Sequence, residues 1–431
     1  MTPQASFMIL APLDASRVAE CRRTLASMTD LPGSANPRNA LLPFAQFERL
    51  HFARLLVIDD QTLDDVALYG LPRRAEPIYL ALLGDVDGDV PSFLRELAEH
   101  AANGLQTIFS FCSGFSPGGD LLAWMRAHNV AARTNYANWV GRTARQVREE
   151  AALADAIQAY LHGTPPTEER PPIEVHADVR AFVATEQRAG RLALTPTAPT
   201  PPAWWFQNAL NLVGVPLLLL VLAIPLLIVA LLVLVRIRFL ERSDPELCPR
   251  VGADRIAVLS VLEDHDVMNP FSAIGSLKPG LVRLGTAAFV LWLVDYTTRH
   301  IYNRGRLARV HTIHFARWVL LDQGRRLLFC SNYDGSLDSY MDDFINKVAF
   351  GLNLVFSNGI GYPATQWLAA GGAKDEQKFK NFLRRHQLPT DVWYNANPGL
   401  TAVDLVRNGR IRDGLQMALS EGDARAWVTL L

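Results

Sequence analysis

The tetrapeptide His-Phe-Ala-Arg occurs twice in this chain, at residues 51–54 and again at residues 314–317. Each copy is followed by an apolar run, an Asp-Gly pair and a helical pattern, in the same order and at similar spacing. The two pairs are Asp87-Gly88 and Asp334-Gly335. Recurring landmarks of this kind indicate an internal duplication, so the sequence predicts two copies of one structural unit.

The pattern around each tetrapeptide predicts a ferredoxin-like βαββαβ unit. In the first half we predict strands at residues 7–11, 47–59, 78–83 and 105–111. In the second half we predict strands at residues 269–277, 311–321, 326–331 and 352–356, preceded by a short strand at 255–262. The expected fold class is α+β, with two ferredoxin-like repeats forming a pseudo-dimeric α+β barrel that carries an inserted apolar membrane-anchor helix or hairpin.

Shifts in composition divide the chain into six segments. These are a first repeat at residues 1–119, a helical appendix at 120–191, a Pro/Thr-rich linker at 192–203, a membrane anchor at 204–242, a second repeat at 243–362 and a helical tail at 363–431.

Charge and cysteine usage exclude several classes of protein. The 42 basic and 43 acidic residues nearly balance, which argues against nucleic acid as a partner. The cysteines Cys21, Cys112, Cys248 and Cys330 lack the spacing of a metal site or a disulfide framework. We therefore expect reduced thiols and no metal site.

Residues 212–235 form an uncharged stretch of 24 residues. A helix of that length is roughly 36 Å long, enough to cross a hydrocarbon core of about 30 Å. Trp204 and Trp205 precede the stretch, and Arg236 and Arg238 follow it, as is typical of membrane anchors. The sequence therefore predicts an integral membrane protein that contacts the bilayer through residues 212–235.

A second apolar helix is predicted at residues 280–301, with an apolar centre too short to span a bilayer with certainty. Basic residues follow it, which favours an in-plane amphipathic helix against anionic lipid headgroups. They are Arg299, His300, Arg304, Arg306 and Arg309.

Two rules conflict over topology. A single span would separate the two repeats, although the apolar strands of the first repeat require cover on both faces. The first residues also lack a signal-peptide pattern. We therefore expect a bacterial inner-membrane protein with both repeats on the cytoplasmic side. The apolar segment would turn back near Pro216 or Pro225, or return through residues 284–294.

Each tetrapeptide lies in a predicted strand, where His51 and Arg54 would point to opposite faces, as would His314 and Arg317. A structural interpretation places the phenylalanine in the core and pairs the arginine with a carboxylate. A functional interpretation brings His51 and His314 to one cavity that could hold a flat cofactor such as haem. The candidate catalytic residues are then His51, Arg54, Asp87, His314, Arg317 and Asp334, and the candidate cofactor ligands are His51, His311, His314, Asn332 and Tyr333.

Residues 80–91 resemble the third strand and following helix of dye-decolorizing peroxidases, and Gly84 to Gly88 matches the Gly-x-x-Asp-Gly loop of that family. In that family the loop follows the fourth strand rather than the third. Residues 312–318 and 331–335 also resemble a group of uncharacterised bacterial membrane proteins. The peroxidase resemblance implies a haem-dependent oxidoreductase. The predicted membrane anchor, which that family lacks, would bring such an enzyme to an apolar or lipid-derived substrate. The alternative is a non-catalytic membrane-bound module that binds a hydrophobic small molecule or a protein.

Overall fold

The computed structural model describes residues 2–164, 170–302, 304–305 and 307–431. They form an α+β structure in which two open sheets face each other. The strands are β1 (Gln4–Pro12), β2 (Thr29–Leu31), β3 (Gly33–Ala35), β4 (Leu50–Ile58), β5 (Tyr79–Asp87), β6 (Thr134–Ala137), β7 (Met268–Ser276), β8 (Ile313–Leu321), β9 (Arg326–Asp334), β10 (Thr365–Gln366), β11 (Ala370–Gly371) and β12 (Val392–Asn395).

The described residues form fifteen α-helices. They are α1 (Val18–Ala26), α2 (Leu63–Leu68), α3 (Val90–His100), α4 (Ala102–Phe109), α5 (Leu121–Ala127), α6 (Ala144–His162), α7 (Pro172–Arg188), α8 (Pro202–Val221), α9 (Ala223–Ser243), α10 (Ala253–Ser260), α11 (Leu281–His300), α12 (Leu337–Phe356), α13 (Glu376–His386), α14 (Ala402–Leu415) and α15 (Glu421–Val428). Helices α1, α3, α4 and α5 cover the first sheet, and α11, α12 and α13 cover the second. Helices α6, α7, α14 and α15 share a separate apolar core.

The strand order of the first sheet is β1-β5-β4-β12-β3-β2, and that of the second is β6-β8-β9-β7. Their facing surfaces form one apolar layer, in which Leu56 and Leu83 pack with Val319 and Leu328. Strand β12, from the end of the chain, pairs with β4, while β6, from the first half, pairs with β8. Each sheet therefore contains one strand from the other half of the chain.

Three predicted strands are wrong. Residues 105–111 lie largely in α4, residues 352–356 end α12, and residues 255–262 lie largely in α10. Short apolar runs without strict alternation fit a buried helix as well as a strand, and here the helix gives better cover to the outer face of the sheet. The predicted βαββαβ order therefore fails at its last strand in both halves.

The regions at 120–191 and 363–431 were expected to be helical, but they contain β6 and β12. These four-residue strands are stabilised by pairing with a sheet far away in sequence, which local propensity does not reveal. The other strands of both sheet centres, β1, β4, β5, β7, β8 and β9, lie where the sequence predicts them.

The apolar segment forms α8 and α9, two helices long and apolar enough to cross a membrane. The chain breaks between them at Leu222, where φ is −92° and ψ is 11°. Pro225 causes this break, because it has no N–H to donate to the carbonyl of Val221, four residues earlier. Most of the side chains in both helices are exposed, and Ile237 is the buried residue in α9.

Candidate functional site

Each repeated histidine is paired with the aspartate of the Asp-Gly turn in its own half. His51 Nε2 lies 2.9 Å from Asp87 Oδ1, and His314 Nε2 lies 2.6 Å from Asp334 Oδ1. Both histidines are buried, with His51 4% and His314 0% exposed. The structure thus brings together four of the predicted site residues, as two separate His–Asp pairs.

The second oxygen of each aspartate binds the N-terminus of a distant helix. Asp87 Oδ2 accepts a hydrogen bond from the backbone N–H of Ala144 at 2.8 Å, in the first turn of α6. Asp334 Oδ2 accepts one from Ala402 at 2.7 Å, in the first turn of α14. A carboxylate is favoured there by the free N–H groups and the helix dipole. Both aspartates therefore cap remote helices, whereas Asp89 caps the adjacent helix α3.

The backbone of each histidine also joins the two halves of the chain. The carbonyl oxygen of His51 accepts a hydrogen bond from the N–H of Ala396 at 3.0 Å, and that of His314 accepts one from Asn138 at 2.8 Å. Ala396 follows β12 and Asn138 follows β6, so each histidine holds the exchanged strand beside its own sheet. The carboxylate contact and the backbone contact of one histidine each have a counterpart at the other, whereas the approach of Gln4 Nε2 to His51 Nε2 at 3.4 Å is found at His51 alone among the described residues.

The two arginines cross between the sheets. Arg54 Nη1 donates to the carbonyl oxygen of Phe271 and Arg317 Nη1 to that of Phe7, each at 2.8 Å. Arg54 also donates to the Ser331 carbonyl at 2.8 Å, while Arg317 donates to the Gly84 carbonyl at 3.1 Å. Each guanidinium thereby satisfies the backbone of the opposite sheet in the space between the two.

The arginines differ in their side-chain partners. Arg317 forms an ion pair with Asp85 at 2.6 Å, whereas Arg54 donates to the neutral amide of Asn332. Among the described residues no carboxylate lies within ion-pair distance of Arg54, and burial lowers its pKa to about 10. For the carboxyl of Asp85, burial has the opposite effect and raises the pKa, although the nearby charge of Arg317 lowers it. The predicted carboxylate partner therefore exists for Arg317 and not for Arg54.

A β-bulge changes the direction of each histidine. The pairing of β4 with β5 shifts register between Leu50 and Phe52, and that of β8 with β9 shifts between Ile313 and Phe315. Such a bulge breaks the alternation of side chains along a strand. The rings of His51 and Phe52 consequently both approach Phe315, with centroids 5.7 and 5.0 Å away. The regular alternation from which His51 and Arg54, and His314 and Arg317, were expected to point to opposite faces is therefore interrupted at each histidine.

The remaining predicted ligands do not converge. His311 is exposed, and its Nδ1 lies 3.4 Å from the Gly305 carbonyl oxygen. Tyr333 is buried and stacks on Tyr340 with ring centroids 4.3 Å apart. Asn332 is buried beside Arg54. These residues therefore form no common pocket with the histidines.

The Gly-x-x-Asp-Gly match has a structural explanation. Gly84 lies in β5, where a Cβ atom would be 2.5 Å from the carbonyl oxygen of Phe52 and 2.8 Å from the Phe7 ring. Gly88 has φ of +85° in the turn before α3, a conformation that favours glycine. Asp87 binds His51 between them. The pattern thus allows two backbones to approach closely and a turn to form.

Haem does not fit beside the repeated histidines. The cavity next to Phe52 and Phe315, whose rings contact the two histidines, has a volume of about 10 Å³, and its lining includes Arg54, Asp85 and Arg317. A space of that size holds about one water molecule, whereas sites for flat cofactors occupy several hundred Å³. Nε2 of each histidine already contacts a carboxylate. In the described part of the chain, no group of three His, Cys, Asp or Glu side chains could hold a metal ion.

Sequence reasoning missed Asp85 and the contacts of Asp87 and Asp334 with the N-termini of α6 and α14. The segments Gly141-x-Thr143-Ala144 and Gly399-x-Thr401-Ala402 repeat the same pattern, and each threonine forms a capping box with the residue three positions later. A search for repeats beyond the tetrapeptide would have found this signal.

Comparison with known proteins gives no relative: no protein-family model, curated protein or solved structure matches this chain.

Proposed function

We propose that the protein is a non-catalytic membrane-bound binding module, built from two duplicated halves and inserted into one leaflet of a bilayer. The observation that carries this proposal is that both ends of the apolar segment attach to the same body, by which we mean the two sheets and the helices that pack on them. The repeated motifs are accounted for by contacts that hold the body together. The surface left for function is the one that faces the membrane.

The duplication is supported by equivalent contacts in the two halves as well as by the repeated sequence. Two His–Asp–helix junctions, two exchanged strands and two crossing arginines occupy equivalent places in the two halves. Tyr136 lies opposite Ala316, and Tyr394 lies opposite Ala53, so even the partners of the tetrapeptide alanines correspond. Because each half contributes a strand to the other sheet, neither sheet is complete without both halves.

The apolar segment leaves the body and returns to it. On one side, Tyr296 of α11 donates to the carbonyl oxygen of Asn211 at 3.1 Å. On the other, Arg283 of α11 donates to Asp244 at 2.7 Å. A straight helix from Asn211 to Asp244 would be roughly 50 Å long, but the stretch of α11 between these contacts is only about 20 Å. The segment must therefore bend, and the break at Leu222 is where it does so.

The depth of this bend fits one leaflet. The arm from Asn211 to Leu222 is about 16 Å long, and the arm from Leu222 to Ile237 is about 22 Å long. A hydrocarbon core is about 30 Å thick, so the bend would lie near its middle. Asn208 and Asn211 remain bound to the body and would stay at the interface. This geometry supports a hairpin that enters and leaves on the same side.

Helix α11 adds a second apolar surface. Its buried face, including Ala287, Val290 and Leu291, covers the second sheet. Its other face exposes Phe289 and Trp292, at 57% and 44%. A helix that is apolar on both faces is expected to bury its outer face as well. An in-plane position at the bilayer surface would bury that face in lipid.

Anionic lipid headgroups are proposed as partners of the basic residues after α11. Arg304 and Arg309 are exposed, while Arg299 pairs with Asp295 at 2.7 Å. Arg306 lies outside the described residues. Basic residues beside an interfacial helix favour the anionic cytoplasmic leaflet, which supports a cytoplasmic position for the body.

Vesicle flotation tests the membrane part of this proposal. The double substitution Leu220→Asp and Ile224→Asp places two charges at the most exposed part of the bend, where these residues are 72% and 75% exposed. We expect the full chain to float with vesicles and the double variant to remain in the dense fraction. The control is Met417→Asp, at an exposed residue that follows α14, and this variant should float as the wild type does. Flotation of the double variant would refute insertion through the bend.

The oxidoreductase alternative has its own test. Titration of the purified chain with haemin should give no Soret band, because the cavity beside the histidines is too small. A stoichiometric Soret band that disappears in His314→Ala would restore the peroxidase hypothesis and contradict the proposed non-catalytic role.

A further inference from the structure

A cleft of about 500 Å³ opens where α8 leaves the body. Its walls come from the start of β1, from β6 and from the ends of α8 and α11. A volume of this size falls within the range of small-ligand sites. Because Asn211 is the last residue of α8 with a hydrogen bond to the body among the described residues, the cleft lies at the expected level of the lipid headgroups.

Carboxamide side chains dominate the polar lining of this cleft. Gln4, Asn135, Gln207, Asn208 and Asn211 all contribute to it. No carboxylate is found among the described residues that line the cleft, and the cation Arg299 forms an ion pair with Asp295. A carboxamide both donates and accepts hydrogen bonds, as a hydroxyl group does. The lining therefore suits a neutral, hydroxyl-rich ligand better than a phosphate, for which several arginines or lysines would be expected.

Hydrogen-bonding capacity remains unused in the walls. The oxygens Gln4 Oε1 and Asn135 Oδ1 are buried and have no hydrogen-bond partner among the described residues. Other amides of the cleft are held in place, since Gln4 Nε2 donates to the Arg142 carbonyl at 2.6 Å and Asn208 Oδ1 lies 2.6 Å from His300 Nδ1. Unsatisfied amides at the wall of a cleft favour a polar ligand that completes their hydrogen bonds.

Trp204 supplies an apolar surface beside these amides. The indole is half-buried at the start of α8, where the chain approaches the membrane. A flat aromatic ring next to several amides accommodates a sugar, which has an apolar ring face and a rim of hydroxyl groups. The continuous apolar stretch of α8 begins at Leu212, about two turns further along, and would lie beside acyl chains.

We propose that this cleft binds the sugar headgroup of a neutral glycolipid whose acyl chains lie along α8 in the same leaflet. This inference rests on the proposed membrane insertion and adds a ligand class to it. Recognition would be by hydrogen bonds from the amides to sugar hydroxyls, with the sugar ring packed against Trp204.

The test uses the full chain and two kinds of vesicle, phosphatidylcholine alone and phosphatidylcholine with monoglucosyl diacylglycerol. The double substitution Asn135→Leu and Gln207→Leu removes two amides from the cleft and leaves the bend of the apolar segment unchanged. The matched control is Asn103→Leu, an exposed amide on α4. We expect the wild type to bind the glycolipid vesicles about tenfold more tightly, and the double variant to lose that difference alone.

Several outcomes would overturn the proposal. Equal affinity of the wild type for both vesicles would show that the sugar is not recognised, and a loss that is the same on both would show that the amides act on insertion. Equally tight binding of methyl glucoside without membranes would identify a soluble sugar as the ligand. A preference of the wild type for phosphatidylglycerol that the double variant lacks would identify an anionic headgroup. Failure of the wild type to bind either vesicle would instead refute membrane insertion itself.

Discussion

Asp85 and Asn332 hold equivalent positions in the two sheets, where each accepts a hydrogen bond from the arginine of the opposite sheet. Asp85 is paired with Arg317, and Asn332 with Arg54. A carboxylate and an amide thus occupy equivalent buried positions, so their effects on the two arginines can be compared directly. One arginine has a charged partner and the other has only neutral ones.

Exchanging these two acceptors should have opposite effects on stability. Asp85→Asn replaces a charge-assisted hydrogen bond by a neutral one, and we expect the free energy of unfolding to fall by about 1–2 kcal/mol. Asn332→Asp gives Arg54 a carboxylate, and we expect the free energy of unfolding to rise by about 1 kcal/mol. Urea unfolding of both variants measures this, and destabilisation by Asn332→Asp would show that Arg54 needs no anion.

Substitution of the two arginines should lower the free energy of unfolding by different amounts. Arg317→Met leaves Asp85 buried without its ion-pair partner, which typically costs about 3–5 kcal/mol. Arg54→Met leaves only neutral acceptors, namely carbonyl oxygens, the Asn332 amide and the Ser272 hydroxyl, so its cost should be smaller by about 2 kcal/mol. The second substitution Asp85→Leu should restore part of the stability lost in Arg317→Met, because it removes the isolated charge. Equal costs for the two arginines would contradict this account of the layer between the sheets.

Asp391 predicts a pH dependence of stability. Burial raises the pKa of this carboxyl from 3.8 to about 6, although the Val57 N–H donates to it at 2.9 Å. The folded state then holds a proton at pH values where the unfolded chain has released it. The contribution to stability is present below about pH 4 and is lost as the pH rises towards 6. Asp391→Asn should remove this slope, as thermal unfolding across the same pH range would show. A slope that persists unchanged in the variant would exclude Asp391 as its source.

The exposed face of α11 should contribute to membrane affinity. Phe289→Ala removes a ring that is 57% exposed, and we expect binding to phosphatidylcholine vesicles to weaken roughly tenfold. Met417→Ala is the matched control, since Met417 is 58% exposed at the end of α14 and has no role in insertion. Equal effects of the two substitutions would remove α11 from the membrane surface.

The sequence predicts the centres of both sheets because β1, β4, β5, β8 and β9 each contain a run of at least four apolar residues. Strand β7 is found at its predicted place although it lacks such a run. It fails at α4, where the apolar run Leu105 to Phe111 fits a helix and a strand equally well. It also fails at β6 and β12, because their pairing depends on contacts between distant parts of the chain. Such contacts leave no local pattern.

The candidate site could also be predicted only in part, because its contacts join distant parts of the chain. The repeated tetrapeptide and the Asp-Gly pairs identify residues that form the contacts between the two halves. That Asp87 and Asp334 bind the N-termini of α6 and α14 could not be predicted, because these helices are remote in sequence. The bulges at His51 and His314 likewise arise from the pairing of strands rather than from residue type.

Labelling with a membrane-impermeant maleimide tests the one-leaflet insertion most directly. Cys248, which follows α9, is exposed, while Cys21, Cys112 and Cys330 are buried, so the wild type reports one end of the apolar segment. Ala203→Cys and Leu222→Cys, each made together with Cys248→Ser, report the other end and the bend. In sealed vesicles of either orientation, we predict that Cys248 and the cysteine at position 203 react from the same side. The cysteine at position 222 should react from neither side. Reaction of positions 203 and 248 from opposite sides would show a single span, and reaction of position 222 from the far side would show two full spans; either result would contradict insertion into one leaflet.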